Sequence, residues 1–349
     1  MSTPFPQGMF ESAFRPAWWL RNPHAQTLFS SFFRKPPSLA REREELLLPD
    51  GDFLDLDWHG PVGWSGATPL VLVVHGLSGS SDSHYVLGLQ AALAKQGWAS
   101  VAMNCRGASR PNNRPRAYHA GASDDILAVL QHMVARYPQT PRALVGYSLG
   151  GSMTLTLMGQ QQHEAPVFAA VAVSVPLQLE LCADRMDSGF SRVYRQHFME
   201  TLVAHWRDKA VHLEQLGDSG SAEKVLGQLA RGPFQSFWQY DNELVAPLHG
   251  YQDVHDYYHR ASPRQFLSSI TRPTLVIQSA DDPFMTPEVL PGIQELSSAV
   301  HFELCQRGGH VGFIEGGTPR APAYYLESRI PDFLTHQWQA IQGRGELLG

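Results

Sequence analysis

The chain has 349 residues, 43% hydrophobic and 17% charged, which is ordinary for a globular protein with one large core or two domains. Its formal net charge of −6 and lack of any basic cluster beyond scattered pairs argue against a nucleic-acid partner. Cys105, Cys182 and Cys305 are too few and too far apart for a disulfide framework or a zinc site, so a reducing, cytoplasmic setting is expected.

No basic patch followed by an apolar run opens the chain, so no signal peptide is expected. No stretch reaches the roughly 18 apolar residues of a membrane span, and the protein is expected to be soluble. Residues 1–40 hold Phe5, Phe10, Phe14, Trp18, Trp19, Phe29, Phe32 and Phe33 among prolines and Arg15, Arg21, Arg34 and Lys35. They read as an irregular aromatic arm packed on the body. The second reading is transient lipid contact without stable membrane insertion, although the arm lacks a clean helical moment.

Glu45–Leu48 and Phe53–Trp58 flank Pro49-Asp50-Gly51 and predict an antiparallel hairpin. Leu70–Val74 is a continuous apolar run, as in a strand buried on both faces. Tyr85–Gln96 predicts a helix, Trp98–Met103 a strand and Ser123–Arg136 a helix ended by Tyr137-Pro138. Ala143–Val145 predicts a short strand, Leu149–Met158 a helix and Val167–Val175 another strand. This alternation implies a mostly parallel sheet with helices on both faces, an α/β fold.

Residues 177–265 break the alternation and read as mostly helical. Strands resume at Thr274–Gln278 and Val300–Leu304, and a last helix runs from about Ala323 to Ile341. The expected organisation is an arm (1–40), a core (41–176 and 266–349) and a helical lid (177–265). The lid would stand over the sheet's C-terminal edge, where open α/β sheets bind ligands.

Gly146-Tyr147-Ser148-Leu149-Gly150 is a G-x-S-x-G pentapeptide, weak alone and strong in context. A strand leads into it and a helix leaves it, as a nucleophile on a sharp turn requires. A serine hydroxyl needs a base at neutral pH, and in this arrangement the acid and then the histidine follow the serine. Asp281 and Asp282 lie just past the Thr274–Gln278 strand, and Asp282, immediately before Pro283, is the preferred acid. His310 sits in the glycine-rich loop Gly308-Gly309-His310-Val311-Gly312 and is the candidate base. The N–H groups of Leu77, after Val74-His75-Gly76, and of Leu149 are the candidate oxyanion donors. His75 reads as a structural residue that orients its loop. His249, His255 and His259 have no acidic or cysteine partner in a ligand pattern, so no metal site is expected. Asn104, Arg106, Tyr118 and His119 could line a pocket, but read first as a polar cluster pinning a strand end.

From about Pro16 to the last helix, the chain resembles the YheT-like branch of the α/β-hydrolases. The matching segments include Trp19–Thr27, His75-Gly76-Leu77, Asn104–Gly107, Tyr118–Gly121, Gly146–Gly151, Ala246–Tyr251, Asp281–Phe284 and Gly308–Phe313. Ala108 and Ser152 stand where many relatives have Cys and Asn. The resemblance implies a serine hydrolase acting without cofactor on a small-molecule carboxylic ester, short- to medium-chain or lipid-derived. It carries Ser148, Asp282 and His310 over as the triad. Acyl transfer or perhydrolysis by the same residues, or a non-catalytic binding module on this fold, are the alternatives.

Overall fold

A computed structural model describes residues 5–344. The chain begins with strand β1 (Gly8–Glu11), helix α1 (Pro23–Phe33), β2 (Glu42–Leu47) and β3 (Phe53–His59). Next come β4 (Leu70–Val74), α2 (His84–Lys95), β5 (Ala99–Asn104), α3 (Ser123–Arg136), β6 (Arg142–Tyr147), α4 (Leu149–Gln161) and β7 (Ala169–Val173). A helical block follows: α5 (Leu179–Met186), α6 (Ser191–Gln215), α7 (Ser219–Leu229), α8 (Phe237–Tyr240), α9 (Ala246–His249) and α10 (Val254–Ala261). The chain closes with β8 (Thr274–Ser279), β9 (Val300–Cys305), β10 (Ile314–Thr318), β11 (Ala321–Tyr324) and α11 (Leu326–Arg344).

Nine strands form one sheet in the order β1-β9-β8-β7-β6-β4-β5-β3-β2. Only β2–β3 and β3–β5 pair antiparallel, and the other neighbours are parallel. This is the α/β architecture that the alternation predicts. β4 shows why its residues are all apolar. Val71 and Val73 enter one core with Leu89, Leu93, Ile330 and Phe333. Leu70, Leu72 and Val74 enter the other with Ile126, Leu130, Met153 and Leu157. Each such burial contributes roughly 1.5–3 kcal/mol. The helical block has a third core, built on Trp206, Leu213, Leu244 and Tyr257. No helix among the described residues is long and apolar enough to cross a membrane.

Two regions differ from the sequence-based expectation. The arm contains regular structure: β1 pairs parallel with β9, and α1 packs on the body. A four-residue edge strand has too few residues to show a period, and tertiary pairing decides its state. Ser12 Oγ donates to Glu303 Oε1 (2.5 Å) and Arg329 Nε to Glu303 Oε2, while Phe14 lies 5.6 Å from the Phe313 ring and 5.1 Å from the Tyr325 ring. The last helix starts at Leu326, not Ala323, because Ala321–Tyr324 pairs with Ile314–Thr318 in a hairpin.

If the arm is integral, Phe14→Ala should destabilise the protein by about 3 kcal/mol in urea unfolding. A loss below about 0.5 kcal/mol would show that the arm is peripheral.

Candidate active site

Ser148 occupies the single position between β6 and α4, with φ 52° and ψ −118°. An L residue adopts this region only under constraint. The constraint is close packing of the turn on both sides. A Cβ on Gly146 would lie 2.3 Å from Gly150 O and Thr154 Oγ1, and one on Gly150 would lie 2.5 Å from His75 O. Only glycine fits either place. The Ser148 N–H is held by Val173 O at 2.8 Å.

His310 lies with its Nε2 2.9 Å from Ser148 Oγ and its Nδ1 2.7 Å from Asp282 Oδ2. With Asp282 as a carboxylate, Nδ1 carries the proton and Nε2 turns its lone pair to the serine hydroxyl. Asp282 is buried, and its other oxygen accepts the Phe284 N–H. Asp281 does not meet His310. Its Oδ1 accepts the Ser279 hydroxyl and the Gly309 N–H, and so fastens the two loops together.

The His310 loop rests on α1: the His310 N–H donates to Thr27 Oγ1, and a Cβ on Gly309 would lie 2.4 Å from Pro23 O. Phe284 stacks on the His310 ring with centroids 4.1 Å apart. The support from α1 is not visible in the sequence, where 1–40 reads as an irregular arm packed on the body. The Trp19–Thr27 motif was the signal that this segment matters.

Three consecutive N–H groups, of Gly76, Leu77 and Ser78, follow the end of β4. That of Gly76 donates to the Tyr85 hydroxyl and that of Ser78 to the Tyr118 hydroxyl. The one between them, of Leu77, has no partner among the described residues, and neither does that of Leu149. A Cβ on Gly76 would lie 3.6 Å from Ser148 Oγ, so the Leu77 turn passes directly beside the hydroxyl. His75 is a strut. Burial lowers it to about 4, and its Nε2 accepts the Cys105 N–H.

The cavity at Ser148 and His310 is lined from the core by Leu77, Tyr118 and Leu149, and from the helical block by Leu179, Phe198 and Trp206, among others. Much of this wall is apolar. Asn104 and Arg106 hold the loop beneath it. Arg106 engages Asp50, Asp52 and Asp125, and Asn104 engages Asp57 and the Ser81 N–H. Arg106, Tyr118 and His119 also border the cavity, so pinning and lining are not separate roles here. Lys209 of α6 bonds Asn112 Oδ1 and Arg116 O, tying the block to that loop. Burial lowers its ammonium to about 7. Asp241, in a π-helical turn (Asp241–Val245), also faces this cavity and accepts the Tyr258 hydroxyl. Among the described residues, no three His, Cys, Asp or Glu side chains converge as a metal cluster.

Residues 69–317 match the family model for the alpha/beta hydrolase fold. Among curated proteins, the chain is 39% identical over 328 residues to "Putative esterase YheT" of Escherichia coli, covering 94% of each chain. It is 27% identical over 318 residues to human phospholipase ABHD3, covering 88% of this chain and 75% of that one. Among solved structures, an esterase of Pyrococcus furiosus superposes with a TM-score of 0.51 at 16% identity, covering 86% of this chain and 99% of its own. That last likeness shows the fold alone.

Asp241 generates a pH prediction. Burial pushes its carboxyl up from 3.8 to about 7, against the Tyr258 hydrogen bond, which lowers it. Between those values the folded protein keeps a proton that the unfolded chain has released, so the residue costs stability as pH rises through the window. Asp241→Asn removes that cost. Its Tm minus the wild-type Tm should therefore grow more positive between about pH 4 and about pH 7. A difference that stays flat across the window would contradict the assignment.

Proposed function

From the premise that the chain belongs to the α/β-hydrolase family, in the branch that holds YheT, we propose that it is a carboxylic ester hydrolase with Ser148, His310 and Asp282 as its triad. The observation that carries this reading is the unbroken chain of contacts from Asp282 through His310 to the Ser148 hydroxyl, on the wall of a largely apolar cavity.

Ser148 Oγ attacks the ester carbonyl as its proton passes to His310 Nε2. The tetrahedral oxyanion receives hydrogen bonds from the Leu77 and Leu149 N–H groups, which have no partner to give up among the described residues. The α4 N-terminus adds its positive dipole end. His310 then gives its proton to the departing alkoxide, leaving an acyl-serine and a free alcohol. Water, deprotonated by His310, releases the acid and restores the serine. Asp282 keeps the imidazole in the productive tautomer and stabilises the imidazolium.

The block 177–265 serves as the lid in this reading, since α5 and α6 side chains complete the cavity wall. Leu179, Met186, Phe198, Leu202 and Phe237 on that wall suit the hydrocarbon of a short- to medium-chain or lipid-derived ester. The phospholipase named among the relatives agrees with such a substrate. No step calls for a cofactor. Cys105, Cys182 and Cys305 are buried and unpaired, in keeping with the cytoplasm.

Assayed on short aryl esters, Ser148→Ala and His310→Ala should each lower kcat by about 10⁴ or more. Asp282→Asn should cost about 10²–10⁴, and Asp281→Asn, whose carboxylate holds only the loop, less than about tenfold. Hydrolysis that survives Ser148→Ala, or equal losses from the two aspartates, would contradict the assignment.

A further inference from the structure

We propose that the face built by residues 15–35 docks peripherally on an anionic lipid bilayer. α1 is turned inside out relative to an ordinary surface helix. Its buried residues are Gln26 and Ser30, and the Gln26 amide is fully used by Leu20 O, Ile314 O and the Ile314 N–H. Phe32 and Phe33 of the helix, and Trp18 ahead of it, lie outside. Trp18 is 76% exposed, and Phe32 and Phe33 are each 72% exposed, far beyond the scattered apolar exposure of a normal surface. Phe32 and Phe33 belong to one patch with Trp19 and Phe29: Trp19 meets Phe29 at 5.1 Å, Phe29 meets Phe33 at 5.3 Å, and Phe32 meets Phe33 at 6.5 Å, and Trp18 is the chain neighbour of Trp19.

The charge around the patch selects the occupant. From Ser12 to Ala40 the chain has no Asp or Glu, but carries Arg15, Arg21, Arg34 and Lys35. Arg34 is paired with Glu327, while Arg15, Arg21 and Lys35 stand in solvent. The adjoining hairpin adds Arg320 and one carboxylate, Glu315. This positive patch sits on a chain of net charge −6. A second copy docked face to face would set these cations against themselves. An anionic bilayer complements both features: aromatic rings settle at headgroup depth, and each basic residue near the surface strengthens binding about fivefold.

The face is mechanically joined to the site. The same helix accepts the His310 N–H through Thr27, and its His24 ring lies 4.7 Å from Phe190 and bonds the Tyr194 hydroxyl on α6. Docking therefore holds the His310 loop within about one helix diameter, roughly 10 Å, of the bilayer. For lipid esters as substrates, this inference rests on the esterase reading; the docking itself does not.

The test is co-sedimentation of the full chain with phosphatidylcholine vesicles, with and without about one-third phosphatidylglycerol. The expected result is binding to the anionic vesicles that weakens with salt. The triple variant Trp18→Ser/Phe32→Ser/Phe33→Ser should bind at least about tenfold more weakly, and so should Arg21→Glu/Lys35→Glu, each with an unchanged Tm. Ser148→Ala should bind like wild type, so failure of docking and failure of the esterase reading are distinguishable. Equal binding to neutral vesicles, binding unaffected by either set of substitutions, or a concentration-dependent dimer that the triple variant abolishes would each overturn the proposal.

Discussion

The backbone of Ser148, held at φ 52° and ψ −118°, stores roughly 1–3 kcal/mol of strain. β6 ends and α4 begins with no intervening loop, so the residue between them must turn sharply and expose its side chain. The glycines at 146 and 150 let the strand, the helix and the β4 turn close around it. Other strained residues gather nearby: Ser78, Ser174, Val311 and Phe313 also have positive φ. Val311 is β-branched, which makes its φ of 54° costly. Its N–H donates to Ser174 Oγ, so one strained turn braces the other. The nine-stranded sheet and its two cores supply the rigidity that keeps these turns in place.

The histidines show how environment divides one residue type into two uses. Burial lowers His75 and His249 to about 4, and His119 well below its ordinary value. All three serve as neutral parts of the frame: His75 accepts the Cys105 N–H, His249 that of Ala117 and His119 that of Gly121. His310 alone has a serine hydroxyl on one nitrogen and a carboxylate on the other. Its ring lies against Phe284, which touches Tyr194 and Phe198 of α6. The helical block thus packs against the base through aromatic contacts, as well as bordering the cavity.

The parts of this architecture legible in the sequence are those with local cause. β4 and α3 appear with their predicted bounds, because a continuous apolar run and an amphipathic helix ended by Tyr137-Pro138 are both local signals. G-x-S-x-G between a strand and a helix placed Ser148, and chain order brought Asp282 and His310 into view together. Asp281 and Asp282 could not be separated on residue type, since two adjacent carboxylates differ only in where the backbone points them. β1 and Thr27 under His310 were hidden because each depends on partners hundreds of residues away, while the β10–β11 hairpin is local but carries Gly316, Gly317 and Pro322 in its strands, residues that argue against a strand. Asp241 gave no signal either, since its unusual burial comes from the packing around Tyr240, Tyr257 and Tyr258 and from the π-helical turn.

The central claim is that Ser148 forms the covalent intermediate. The direct measurement is peptide mass spectrometry after reaction with a fluorophosphonate, repeated after rapid acid quench with a slowly hydrolysed aryl ester. The adduct should fall on the peptide containing Gly146–Gly150, at Ser148, and prior occupancy by the phosphonate should abolish ester turnover in proportion. Turnover that continues with Ser148 fully modified, or an adduct confined to another residue, would contradict the account.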